Sequence, residues 1–196
     1  MAVKAKPDGI ILAGGASSRM GTAKALMPFA GGLLIEAAIA RAAPQVARLA
    51  IDVPQSELET YRARFGDMAI PDRYDQALGP LCGVVTGLDW ATTDWLATFP
   101  CDTPFFPLDT VEQLGRTSRA VPVLARHGSR LHGVFGLWPR HVASDLKAGI
   151  ANGTLRSIRD ALNGLNGIDC EIGAPDNAFF NVNTPDELKE AERLSG

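Results

Sequence analysis

Cysteine is scarce in this chain, and the three present, Cys82, Cys101 and Cys170, are odd in number, far apart and free of any C-x-x-C pair. That spacing excludes a disulfide framework, argues against a zinc site and fits a reducing, cytoplasmic setting. Long apolar runs are lacking as well. No stretch approaches the roughly 20 residues that span a bilayer, and the opening MAVKAKPDG is too short and polar for a secretory signal. Residues 1–7 are expected to be flexible, and no membrane association is expected. An excess of positive charge is also missing. With 19 Lys and Arg against 22 Asp and Glu, the net charge of -3 denies the chain the broad basic footprint of a nucleic-acid binder. Individual basic residues remain available to hold a small anion.

Hydrophobic residues make up 46% of the sequence and charged residues 21%, which separates it from disordered chains. Its 196 residues are enough to bury a substantial core and suit a single domain spanning 1–196. No internal repeat, low-complexity tract or linker-like break interrupts it.

Short apolar runs alternate with amphipathic stretches. Gly9 to Ala13 reads as a buried strand ending in Gly14-Gly15. A helix is expected from Leu34 to Ala43, closed by Pro44, then a strand at Ala50–Val53 and a helix from Gln55 to Phe65. A short strand at Met68–Ile70 stops at Pro71. Beyond a loop through Asp75 and Gly79 come a helix from Leu81 to Trp90 and a strand at Trp95–Phe99. Another helix leads to a strand at Val121–Ala125, where Pro122 sits awkwardly for a ladder position. Val134–Trp138 reads as a further strand. Thr184 to Leu194 reads as the last helix, opened by an N-cap, a proline and two acids. Such alternation predicts an α/β architecture with a largely parallel sheet covered on both faces. Ligands of such sheets bind beyond the carboxyl ends of the strands, so functional residues are expected just after strands.

The first strand runs into Gly14-Gly15-Ala16-Ser17-Ser18-Arg19-Met20-Gly21, then Thr22-Ala23-Lys24. Glycines and small residues let the backbone approach phosphate closely with several N–H groups turned into one concavity. Arg19 and Lys24 supply the charge a triphosphate needs. The spacing matches neither a Walker A loop nor G-x-G-x-x-G. A plain strand-to-helix turn with solvated Arg and Lys is the alternative. Further on, Pro100-Cys101-Asp102-Thr103-Pro104-Phe105 puts one carboxylate where a strand meets a loop, with prolines restricting the backbone on both sides. Asp102 there is either a hard oxygen ligand for Mg²⁺ or a turn and cap residue.

Leu12-Ala13-Gly14-Gly15, with Arg19-Met20-Gly21 and Lys24, resembles the signature loop of nucleotidyltransferases with the Rossmann-like glycosyltransferase A fold. The Leu-Ala-Gly-Gly form is more similar to the molybdenum cofactor guanylyltransferases than to their cytidylyltransferase relatives. Pro100-Cys101-Asp102-Thr103-Pro104-Phe105 resembles the magnesium-binding motif of the same guanylyltransferases. This resemblance implies a Rossmann-like three-layer fold of the nucleotide-diphospho-sugar transferase type. It further implies Mg²⁺ on Asp102 bridging the phosphates of GTP, and transfer of GMP to the terminal phosphate of molybdopterin with release of pyrophosphate. By the same resemblance Leu12, Ala13, Gly14, Gly15, Lys24, Asp52, Asp72 and Asp102 contact the nucleotide, while Arg19, Lys24 and Asp102 carry catalysis. Molybdoenzymes or cofactor-delivery proteins are the partners it implies.

Asp72 followed by Leu78-Gly79-Pro80-Leu81-Cys82-Gly83 resembles a family pattern of Asp then Gly-Pro-Leu-x-Gly. Its carboxylate can accept from guanine N–H groups or ribose hydroxyls, or it is a solvated turn acid. Asp52, in Ile51-Asp52-Val53-Pro54-Gln55, departs from the family's Val-Asn-x-Asn. An aspartate accepts hydrogen bonds but does not donate them, so the contact survives only with donor partners. Phe179-Phe180-Asn181-Val182-Asn183-Thr184-Pro185 resembles the family closely, and alternation along a strand tip puts Asn181 and Asn183 on one face. They would bind metal or second substrate, with a turn role for Asn183 as the alternative. His132 either faces the second substrate or is structural, and Gly133 departs from the family's His-Pro. Rival readings are a transferase using CTP or a sugar phosphate, and a GTP-binding cofactor-delivery protein without turnover.

Overall fold

The computed structural model describes residues 5–14, 24–74, 79–117 and 120–195. The elements along the chain are β1 (Asp8–Leu12), the short hairpin β2 (Pro28–Phe29) and β3 (Gly32–Leu33), α1 (Leu34–Ala42), β4 (Leu49–Val53), α2 (Leu58–Phe65) and β5 (Ala69–Pro71). They continue with α3 (Pro80–Trp90), β6 (Trp95–Pro100), α4 (Thr110–Thr117), β7 (Val123–His127), β8 (Arg130–Pro139), α5 (Ala143–Ala151), α6 (Ile158–Gly164), β9 (Ile168–Glu171) and α7 (Pro185–Ser195). No helix among the described residues is long and apolar enough to cross a membrane.

Seven strands form one sheet in the order β5-β4-β1-β6-β8-β7-β9. β1 pairs in parallel with β4 and β6, β4 with β5, and β7 with β9. β8 alone runs antiparallel to its neighbours. The reason is local: a tight turn through Gly128, at φ 58°, joins β7 to β8, and a hairpin that short permits only antiparallel pairing.

Every residue of β1 is buried, as a strand covered on both faces requires. Successive side chains alternate between two cores. Ile11 packs in one with Ile35 and Ala38 of α1 and Leu58 and Tyr61 of α2. Ile10 and Leu12 pack in the other with Leu81, Val84 and Leu88 of α3 and Ile158 of α6. These are the two outer layers of a three-layer α/β fold. Close approach of α3 depends on Gly83 and Gly87, spaced four apart on one helix face. A Cβ at Gly87 would lie 2.7 Å from Leu96 Cδ2 and 2.9 Å from Ile10 Cγ2.

Several boundaries differ from the sequence expectation. The strand expected at Val121–Ala125 begins after Pro122, which cannot donate to the ladder, and runs from Val123 to His127. The helix expected from Gln55 opens with one 3-10 turn, Gln55–Glu57, before α2. β8 is twice the length read from Val134–Trp138, because the hairpin extends it back to Arg130. α5, α6 and β9 were not read from the sequence.

Asp8, fully buried at the start of β1, ties that strand to the turn after α3. Its carboxylate takes Arg48 in a two-pronged contact of 3.0 and 2.8 Å and accepts from the backbone N–H groups of Thr92 and Thr93. Burial by itself would raise its pKa, but Arg48 and the two amides outweigh it and hold the acid at about 2. Arg48 also lies 4.4 Å over the ring of Trp90. Replacing Asp8 with Ala is expected to cost about 2–4 kcal/mol in urea unfolding, because two buried amides and an arginine lose their acceptor. For Asp8→Asn, the stability deficit should be full above about pH 4 and shrink as pH falls through about 2, below which the wild-type carboxylate is protonated in both states. A deficit unchanged across that window would show that the charge contributes nothing.

Candidate functional site

β1 sits between β4 and β6, so the carboxyl ends of three parallel strands open on one edge of the sheet. Leu12 stands in register with Asp52 on one side and Pro100 on the other. A cavity of about 340 Å³ lies there, lined by Leu12, Ala13, Gly14, Lys24, Asp102 and His132 among others. Of the glycine loop, Gly14 and Lys24 are described. Gly15, Ser17, Ser18, Arg19, Met20 and Gly21 lie outside the described residues.

Lys24 begins a single 3-10 turn, Lys24–Leu26. Its ammonium lies 2.5 Å from Asp102 Oδ2 and 2.6 Å from Asn183 Oδ1. Both members of the ion pair are largely shielded from solvent, with 14% and 17% of their side-chain surface exposed. The contact joins segments 78 and 159 residues apart in sequence.

Asp102 is fixed from the other side by Thr103, whose hydroxyl lies 2.7 Å from Asn181 Oδ1 and 3.2 Å from Asp102 Oδ1. One hydroxyl carries one proton, so the shorter contact is the hydrogen bond and the longer is close packing. The Asn181–Asn183 segment is not the strand tip expected from the sequence. Its backbone joins no ladder, and Val182 N donates instead to Asp102 O at 2.9 Å. Val182 is buried with Phe29 and Leu34, which turns the flanking amides the other way, toward Thr103 and Lys24. Thr103 was quoted in the sequence motif without a role. The polar hydroxyl next to an acid at a strand end was the available signal.

His132 reaches the cavity because of an irregularity in β8. Leu124 pairs with Gly136 but Ala125 pairs with His132, so Gly133, Val134 and Phe135 bulge outward. Thr98 Oγ1 holds the bulge by donating to Val134 O at 2.7 Å. Bulges of this kind re-aim side chains at sheet edges. The imidazole stacks on Phe179 at 4.3 Å with 24° between the planes and meets Phe135 edge-on. Desolvation, then the charges of Arg130 and His127, push its pKa down to about 4, so the ring is neutral at pH 7. His132 is therefore both a packing residue and a cavity wall. Arg130 and Leu131, not singled out in the sequence, line the same wall.

Asp52 and Asp72 form the opposite flank. Asp72 follows β5 and accepts from Tyr74 N and Thr86 Oγ1, both at 3.1 Å through Oδ1. Asp52 is 2% exposed, and its Oδ1 has no hydrogen-bond partner. Gly14 faces both: a Cβ placed there would lie 3.8 Å from Asp52 Oδ2 and 4.0 Å from Asp72 Oδ2. The structure thus gathers Gly14, Lys24, Asp102, Asn181 and His132 at one cavity, with Asn183 reaching it through Lys24 and Asp52 and Asp72 beside it. Cys101, next to Asp102, has its thiol pushed up to about 12, first by desolvation and then by the Asp102 charge, which leaves it unsuited to nucleophilic work.

Residues 9–165 match the family model described as MobA-like NTP transferase domain. The molybdenum cofactor guanylyltransferase of Cereibacter sphaeroides is 41% identical over 192 residues, covering 95% of each chain. That of Mesorhizobium japonicum is 34% identical over 202 residues, covering 95% of this chain and 94% of its own. Among solved structures, the molybdopterin-guanine dinucleotide biosynthesis protein A of Archaeoglobus fulgidus superposes with a TM-score of 0.80 at 23% identity, over 96% of this chain and 98% of that one. The 4-diphosphocytidyl-2C-methyl-D-erythritol synthase of Anaerococcus prevotii does so with a TM-score of 0.72 at 7% identity, over 96% and 97%. At such identities the structural likenesses establish the fold alone. The family follows from the domain match and the closely covering relatives: the chain belongs to the MobA-like NTP transferases.

Proposed function

We propose that this protein transfers GMP from GTP to the terminal phosphate of molybdopterin, giving the guanine dinucleotide cofactor and pyrophosphate. The observation that carries the reading is the Lys24–Asp102–Asn183 cluster at the mouth of the cavity beyond β1 and β6. The names of the relatives supply the substrates. Nucleotidyl transfer of this kind needs little covalent help from a protein. A phosphate monoester with a second pKa near about 6 is already mostly dianionic at pH 7, so its oxygen attacks the α-phosphorus without a general base. The bond from the α-phosphorus to the bridging oxygen breaks, and pyrophosphate leaves with the electron pair. The barrier lies in bringing two anions together and in the charge that develops on the leaving group.

Lys24 would meet the phosphates from within the cavity, and Arg19 with the amides following Gly14 would share the load. The donor set fits Mg²⁺. Asp102 offers one carboxylate, Asn181 and Asn183 offer neutral amide oxygens, and no cluster of three His, Cys, Asp or Glu exists among the described residues. A single hard ion takes one or two carboxylates and completes its shell with phosphate and water. When bound, it would neutralise phosphate charge and orient the α-phosphate for in-line attack. Lys24 would then pass from Asp102 to the nucleotide, and in the ion pair each member balances the other's charge. His132, neutral and flat against Phe179, offers one donor and one acceptor to the second substrate on the far wall.

Three outcomes are expected when pyrophosphate release is followed with GTP, Mg²⁺ and molybdopterin. Asp102→Ala keeps a near-normal melting temperature and loses at least about 100-fold in turnover, since an electrostatic anchor of the reacting phosphates is gone; full activity at saturating Mg²⁺ would contradict its role. Lys24→Ala slows transfer by about 10–100-fold with the fold intact, whereas loss of folding would make Lys24 structural. GTP outcompetes CTP in the wild type, and the reverse preference would favour the cytidylyl reading. A protein that binds GTP but releases no pyrophosphate would be a carrier instead.

A further inference from the structure

Asp52 is a buried acid that no cation among the described residues neutralises. It is the penultimate residue of β4, in register with Leu12 of β1 and Ile70 of β5. Gly83 of α3 presses on it so closely that a Cβ there would lie 2.5 Å from Oδ2, and Leu12 closes another side. The faces turned to it from β1, β5 and the first turns of α3 are uncharged, being Leu12, Ala13, Ile70 and the run from Pro80 to Thr86. The titratable group that faces it is Asp72, from the segment after β5. Asp89, later on α3, is held by Lys147 and Tyr74. Among the described residues, an ionised carboxyl in such a place would have neither a cation nor a full set of donors, and a second carboxylate as neighbour. Buried groups of this kind shed their charge. Desolvation, followed by repulsion from Asp72, lifts its pKa to about 8.

We propose that Asp52 serves the nucleotide site as an uncharged acid, placing a donor and an acceptor beside Gly14 on the nucleoside flank of the cavity, and that nucleotide binding is lost when this acid ionises. The proposal rests on the reading of the cavity as a nucleotide site. A protonated carboxyl offers one O–H donor and one C=O acceptor, the pair an amide also offers, whereas a carboxylate only accepts. Ionisation removes the donor and leaves two adjacent negative charges, Asp52 and Asp72, facing a nucleoside triphosphate that is itself an anion. Lys24 and Asp102 lie across β1, on the β6 side, so the phosphates and the nucleoside occupy opposite flanks of one strand end.

Calorimetric titration of the full chain with GTP and Mg²⁺ tests this between about pH 6.5 and about pH 9.5. Wild-type affinity should fall by about tenfold per pH unit above about pH 8, as expected when only the protonated form binds. Asp52→Asn, which cannot ionise, should vary by less than about threefold over the same range, since other groups titrating near the site contribute equally to both proteins. Near about pH 8.5, titrations in buffers of different ionisation heat should show wild-type uptake approaching one proton per GTP, and none for the variant. Without any nucleotide, the variant should melt above the wild type at about pH 7. The folded acid then holds a proton that the unfolded chain has released, and the gap should close toward about pH 4. Wild-type binding that is level across the range, or an equal loss in both proteins, overturns the proposal. Should Asp52→Asn fail to fold, proton uptake by the wild type decides alone. Absence of GTP binding at any pH overturns the proposed function and this inference together, while tight but pH-independent binding removes this inference and leaves the function standing.

Discussion

One ion pair organises this site. Lys24 reaches Asp102 from the segment after β1, and Asp102 follows β6, the strand beside it. Asn183, from the segment before α7, completes the contact. None of the three lies in a regular element that would hold it unaided. Each depends on the sheet: β1 and β6 bring their ends side by side, and the hydrogen bond from Val182 N to Asp102 O draws the chain end in behind them. Remove the parallel pairing of β1 with β6 and the cluster has no scaffold. Opposite charges here are mutually neutralising and poorly solvated, which holds the pair together. It can also open at modest cost when a polyanion offers Lys24 a better partner.

A chemical division follows from the same strand. On the β6 side of β1 the groups are charged and suited to phosphate. On the β4 side lie Asp52 and Asp72, the first buried and the second committed through one oxygen to Tyr74 and Thr86. On the far wall the β8 bulge presents His132 against Phe179. On the proposed reading, two strand ends and one bulge would serve three parts of a reaction that joins a nucleotide to a second phosphorylated molecule. The glycines matter because side chains would intervene: at Gly83 a Cβ would collide with Asp52 and Leu12, closing the gap between α3 and the sheet.

Much of this was legible in the sequence wherever local chemistry speaks for itself. The apolar run ending in Leu12-Ala13-Gly14-Gly15 announces a buried strand with an open backbone after it, and prolines bracket Asp102 at a strand end. The mostly parallel sheet follows from alternating elements. Legibility ended where tertiary contacts decide. The reversal of β8 has a local signal in Gly128 that the reading of Val134–Trp138 does not use, whereas its bulge at Gly133–Phe135 rests on the distant Thr98. Alternation put Asn181 and Asn183 on one side of Val182, but no ladder partner exists, so the segment is not a strand. The meeting of Lys24 with Asn183 spans 159 residues and no spacing rule reaches that far. The charge state of Asp52 was equally hidden, since it depends on how closely α3 approaches and on which residue faces it across β4. Arg19, central to the loop as read from sequence, lies outside the described residues.

On the proposed reading, Lys24 and Asp102 exchange partners when nucleotide and cation arrive together. A crystal of the protein grown with a non-hydrolysable GTP analogue and Mn²⁺, located by anomalous scattering, measures this directly. The expected result is an anomalous peak bonded to an Asp102 oxygen, with the Lys24 ammonium moved onto phosphate. A cation bound elsewhere, with the Lys24–Asp102 contact unbroken beneath the bound nucleotide, would contradict it.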